Sequence, residues 1–111
     1  MYCGGLSQHK LRWAIEYINE NLEKDLKLSE IAAIVGMSQY HFVRMFKQST
    51  GLPPHRYLVE RRLEKAKRLL TETDLPIAEI AHCVGFANQS SFTKVFRKHT
   101  LITPKAYRDA L

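Results

Sequence analysis

The chain has 111 residues, 45% of them apolar, with a formal charge of +6 and a pI near 9.5. That is the length of one compact domain or of two very small ones, and two half-size units would each bury so little surface that the middle of the chain must join them firmly. No apolar run approaches the ~18 residues of a membrane span, the first ten residues lack a signal-peptide core, and Cys3 and Cys83 allow at most one disulfide, which points to a soluble intracellular protein with reduced thiols.

Residues 1–6 read as a disordered tail. The first helix opens on Ser7 as cap, with Leu6 before it stapled to Leu11, and its apolar stripe continues through Ala14, Ile15, Ile18 and Leu22. A short apolar helix over about residues 28–35 follows. Gly36 supplies the left-handed residue that ends it, and Ser38 caps the next helix. That second helix is amphipathic, turning Phe42, Met45 and Phe46 inward at i, i+3, i+4 spacing, and it runs to about Thr50. Pro54 then opens a long helix to about Thr71 that has no internal Gly and no further Pro. Leu58, Leu63, Ala66, Leu69 and Leu70 form its apolar side. At 1.5 Å per residue such a helix is a strut of roughly 25 Å.

The pattern then recurs. Glu30, Ile31, Ala32, Val35 and Gly36 return as Glu79, Ile80, Ala81, Val84 and Gly85 at a shift of 49. Phe42, Phe46, Thr50, Pro54 and Tyr57 return as Phe92, Phe96, Thr100, Pro104 and Tyr107 at a shift of 50. Asn88 is the second unit's cap, and Phe92, Val95 and Phe96 are its inward stripe. Thr103 caps a short last helix with Pro104 at its first position. No strand or hairpin signal is present. The reading is an all-α chain: tail 1–6, first helix-turn-helix subdomain 7–53, linker helix 54–72, second helix-turn-helix subdomain 73–111.

Charge follows the repeat. Residues 37–68 carry eight Lys/Arg against two acids and 88–108 carry five against none, whereas 1–36 carries four against five and 69–87 none against three. Opposite the inward stripes lie Tyr40, Val43, Arg44 and Lys47 in the first unit and Ser90, Thr93, Lys94 and Arg97 in the second. A face that only keeps a helix soluble mixes signs, because Glu/Lys pairs at i, i+4 help and lone cations repel. These faces hold no acid and fit an anion.

The residue types suit DNA. Arg44 offers a rigid donor fork for guanine O6/N7, Lys94 reaches the same edge as a point charge, and Val43 or the Thr93 methyl suits a thymine methyl. Tyr40 can pack on sugar or base. Tyr40, Val43, Arg44, Gln89 and Lys94 are therefore the base-contacting candidates. Ser38, Gln39, Lys47, Asn88, Thr93 and Arg97, at helix starts or a turn further on, are the phosphate-contacting candidates.

Blander readings apply elsewhere. Phe42, Phe46, Phe92, Phe96 and Trp13 read as core. Arg61, Arg62, Lys65, Lys67 and Arg68 suit a solvated helix face, with Glu64–Arg68 as an i, i+4 pair, as readily as phosphate contacts. His82–Cys83 reads as packing, and His41 and His55 lie near the positive blocks. The five histidines and two cysteines lack the paired spacing of a metal site, and no nucleophile, phosphate-loop or paired-carboxylate motif suggests an enzyme or a cofactor. A helical-repeat adaptor for another protein is the alternative of a different class, but it calls for apolar or mixed outer faces. RNA fits poorly, since the A-form major groove excludes a helix and no exposed aromatic platform is evident.

Taken together, "EIA…VGMSQYHFVRMFKQSTG", "EIA…VGFANQSSFTKVFRKHT…TPKAYR" and the basic "RRLEKAKRLL" between them resemble the DNA-binding domain of AraC/XylS-type bacterial transcription regulators, over about residues 11–108. The resemblance implies seven helices forming two helix-turn-helix subdomains, with the second helix of each in a major groove. Base-facing roles then fall on Tyr40, Val43 and Arg44 and on Ser90, Ser91 and Lys94. It further implies a cytoplasmic, nucleoid-associated regulator, an activator that touches RNA polymerase. It also implies either an effector-sensing or dimerising domain outside these residues or a small stand-alone regulator. Leu101 departs from the pattern, standing where a glycine matches Gly51: either it takes a left-handed backbone at about 1–2 kcal/mol, or the turn differs and the last helix docks differently.

Overall fold

Ser7 caps the first helix by accepting the Lys10 N–H at 3.3 Å, which fixes the start of α1 (Gln8–Glu20). The computed structural model describes residues 7–110; the expected tail, the Leu6–Leu11 staple and Cys3 lie outside them. Six further helices follow: α2 (Leu28–Ile34), α3 (Gln39–Thr50), α4 (Pro54–Glu72), α5 (Ile77–Cys83), α6 (Gln89–Thr100) and α7 (Pro104–Asp109). Among the described residues there is no strand, and no helix is long and apolar enough to cross a membrane. Two compact units meet between Glu60 and Arg61, so α4 gives residues 54–60 to the first and 61–72 to the second.

In the first unit the i, i+4 stripe of α1 closes on the inner faces of α2 and α3. Ala14, Ile18, Leu22, Ile31, Ala32, Val35, Phe42, Phe46 and Leu58 form one buried cluster. Phe46 sits between Phe42 and Tyr57, with ring centroids 5.5 and 5.4 Å away, within the range of favourable tilted or edge-on ring pairs. Gly36, at φ 72°, ends α2 and lets Met37 N–H donate to Ala32 C=O at 2.9 Å, which closes the turn.

The second unit repeats these devices. Ile80, Ala81, Val84, Phe92, Phe96 and Pro104 are buried, together with Leu63, Ala66 and Leu70 of α4. Phe96 sits 5.6 Å from Phe92 and 5.5 Å from Tyr107. Phe86 N–H donates to Ala81 C=O at 2.9 Å, as Met37 does to Ala32. The end of α4 is held by Arg108, which donates from Nε to Leu70 C=O at 3.0 Å and from Nη2 to Thr73 C=O at 3.2 Å, placing a cation on the orphan carbonyls of a helix C-terminus.

Leu101 does take the left-handed backbone, at φ 70° and ψ 1°, where Gly51 has φ 84° and ψ −7°. Its N–H donates to Arg97 C=O at 2.8 Å, as Gly51 N–H donates to Lys47 C=O at 2.7 Å. Thr50 and Thr100 each set a hydroxyl 2.8–2.9 Å from the carbonyl four residues back and accept the N–H two residues on. The turn is thus the same in both units, and α7 starts three residues after Leu101 just as α4 starts three after Gly51.

Three expectations are corrected. Trp13 is 46% exposed: the buried stripe of α1 passes through Ala14 and Ile18, which turns position 13 outward, where its ring lies 4.4 Å from that of His9. Glu64 pairs at 3.5 Å with Lys67, on the i+3 side, in place of Arg68. His82 is exposed while Cys83 is half-buried, because α5 spends its inward positions on Ile80 and Ala81.

Candidate nucleic-acid interface

Burying Phe42 and Phe46 fixes the rotation of α3, and at 100° per residue the other side of the helix must face water. Gln39, Tyr40, Arg44 and Lys47 are exposed on it, Tyr40 at 73%, and Val43 is half-buried at its edge. The Arg44 guanidinium carbon stands 5.8 Å from the Tyr40 ring centroid, a cation–π contact across one helical turn. No Asp or Glu occurs between Glu30 and Glu60, so nothing on this stretch neutralises Arg44 or Lys47.

The start of α3 is equally open. Ser38 Oγ accepts the His41 N–H at 3.3 Å, which leaves the first two N–H groups of the helix without an intrahelical acceptor. The Ser38 hydroxyl proton and the Gln39 amide lie beside them. Backbone N–H groups, a hydroxyl and the positive end of a helix dipole together suit a phosphate oxygen.

Phe92 and Phe96 set the rotation of α6 in the same way. Gln89, Ser90, Ser91, Lys94 and Arg97 are exposed and Thr93 is half-buried. Asn88 caps with its Oδ1, accepting Ser91 N–H at 2.8 Å, and keeps its amide N–H groups to donate. Gln89, Ser90, Thr93, Lys94, Arg97 and Lys98 line a shallow groove of about 790 Å³. Each set of sequence candidates is therefore brought onto one helix face within its own unit. Lys98 was missed, although it stands four residues after Lys94 and so stacks beside it on the helix surface. No acid occurs between Glu79 and Asp109.

The long basic helix is less free than its composition suggests. The Arg62 guanidinium carbon lies 5.9 Å from the Phe86 ring centroid, Lys67 pairs with Glu64, and Arg61 Nε is buried without a hydrogen-bond partner among the described residues. Lys65 is half-buried, and Arg68 and His55 are exposed. His41 is exposed beside Ser7, Lys10, Met37 and Met45. Among the described residues no group of three His, Cys, Asp or Glu side chains could hold a metal ion.

Known proteins are similar to this chain in sequence and fold. A family model described as a helix-turn-helix domain matches residues 11–110. The chain is 37% identical over 102 residues to the regulatory protein PocR of Salmonella typhimurium, a match that covers 92% of this chain and 34% of PocR; it thus spans about a third of that relative's length. Among solved structures, the C-terminal domain of AraT, a response regulator from Geobacillus stearothermophilus, superposes with a TM-score of 0.89 at 36% identity, covering 96% of this chain and 88% of that one. The DNA-binding domain of the global transcriptional factor AdpA, solved in complex with a target DNA, superposes with a TM-score of 0.87 at 31% identity, covering 91% of each chain.

Proposed function

Because the chain belongs to the AraC-type helix-turn-helix family, a non-enzymatic family of transcription-regulator DNA-binding domains, we propose that it binds double-stranded DNA sequence-specifically, laying α3 and α6 in two successive major grooves. One observation carries this reading: at both repeats the outward side of the second helix is a solvent-exposed cationic face without a single acid. An adaptor would need apolar or mixed faces there, and a merely solvated helix would mix its charges.

In this mechanism Arg44 and Lys94 read base edges, aided by Tyr40, Val43, Gln89, Ser90 and Ser91. Ser38, Gln39, Lys47, Asn88, Thr93 and Arg97 neutralise or hydrogen-bond phosphates. α4 is the linker that sets the spacing of the two subdomains. Successive grooves recur at about 34 Å, and any shortfall in that spacing is met by bending the duplex, at about 1–6 kcal/mol. The regulator then acts in the cytoplasm, on the nucleoid, and activates by touching RNA polymerase.

Selection of bound duplexes from a random pool, followed by titration of the winner against salt, tests the proposal. A two-part asymmetric motif is expected, with affinity falling linearly in log salt with a slope of about −0.9 per phosphate contact. No enriched motif, or an affinity flat in salt, would refute it.

A further inference from the structure

Two features of the first unit work against folding and meet in one place. Trp13 and Ile34 are 46% and 41% exposed, although apolar side chains of this size usually stabilise a core. Glu16 and Glu20 stand at i, i+4 on α1, a like-charge spacing that destabilises a helix by a few tenths of a kcal/mol. Neither carboxylate makes an ion pair among the described residues, even with Arg12 one turn before Glu16. Trp13, Glu16, Tyr17, Glu20 and Ile34 line a single open groove of about 360 Å³ between α1 and α2, and Glu30 lies one turn before Ile34 on α2. None of the groove's residues comes from α3, so it is separate from the reading face of the same unit.

We infer that this groove is a docking surface for a protein partner, and that its occupant is a cationic amphipathic helix. The apolar floor of Trp13, Tyr17 and Ile34 accepts the ridge of an amphipathic helix, as helix-in-groove recognition requires. The carboxylates on its rim pair with flanking Lys or Arg side chains of the partner. Charge complementarity makes the choice of occupant sharp: the chain carries +6 overall, so a basic helix is repelled by most of its surface and attracted here. A nucleic acid is repelled by the same rim.

The full 111-residue chain reports on its own groove, because Trp13 is its only tryptophan. Two synthetic 18-residue helical peptides are compared, each with leucine along one face, one flanked by lysine and the other by glutamate. The lysine-flanked peptide is expected to shift Trp13 emission to the blue and to saturate, whereas the glutamate-flanked one leaves the emission unchanged. Glu16→Gln with Glu20→Gln should weaken binding about fivefold or more, the combined effect of two rim charges. Ile34→Ser should weaken it as well, and both variants should keep the DNA affinity of the unaltered chain. Equal binding of the two peptides, an emission that neither peptide moves, or an affinity untouched by removing the two carboxylates would each overturn the inference.

Discussion

Gly51 and Leu101 occupy the same left-handed turn, and exchanging side chains there isolates a backbone term. At Gly51 an added Cβ meets no atom within 4 Å, so Gly51→Ala introduces no clash and its cost is conformational. Holding an L-residue in the left-handed region costs about 1–2 kcal/mol, and the stiffer unfolded chain returns about 0.4–1 kcal/mol. Gly51→Ala should therefore destabilise by about 0.5–1 kcal/mol. Leu101 is 83% exposed, so truncating it loses only a few tenths of a kcal/mol of burial. Comparing Leu101→Ala with Leu101→Gly cancels that loss, and glycine should be the more stable of the two by the same ~0.5–1 kcal/mol. That is the reverse of a helix interior, where alanine is favoured by about as much. Urea titration followed by far-UV circular dichroism, with Trp13 emission as a probe confined to the first unit, measures both; the corresponding melting shifts are about 2–5 °C. If alanine equals or exceeds glycine at either position, the assigned backbone is wrong there. Nothing in the structure explains why leucine stands at position 101.

Arg44→Ala should cost about 1–3 kcal/mol on the preferred duplex and relax selectivity at one or two base pairs; a uniform loss over all sequences would make it a phosphate contact. The Tyr40 ring should steady Arg44 by about 0.5–1 kcal/mol, so a double-mutant cycle of Tyr40→Leu and Arg44→Ala should show coupling of that size where one with Tyr40→Phe shows little. Lys47→Ala should weaken every site and reduce the salt slope by about one contact, and an unchanged slope would refute its role. Arg108→Ala should destabilise by about 1.5–3 kcal/mol through its two charge-assisted bonds to the end of α4; a change below about 0.5 kcal/mol in urea, the spread of ordinary surface substitutions, would show those bonds to be idle.

Much of this was legible in the one-dimensional pattern because the governing interactions are local. Ser7, Ser38, Asn88 and Thr103 each cap the helix they precede, since a cap bonds within three residues. Gly36 and Gly85 take the positive φ their turns require. The outward faces that carry the candidate readers could be placed because helical rotation follows from Phe42/Phe46 and Phe92/Phe96 alone. Lys98 escaped only because the outward face was drawn too narrowly.

What the sequence by itself determined is every property fixed by neighbours three or four residues away: seven helices, their starts, their inner faces and the twofold repeat. Tertiary structure alone decided where those faces ended. Trp13, the most apolar-looking residue of α1, lost its place in the core because a helix offers only one stripe and Ala14 and Ile18 had already filled it. Arg108 found its acceptors 35 and 38 residues back, and Arg62 found the Phe86 ring in a loop beyond α5. Such contacts depend on how separate helices pack, and no spacing along the chain encodes that directly.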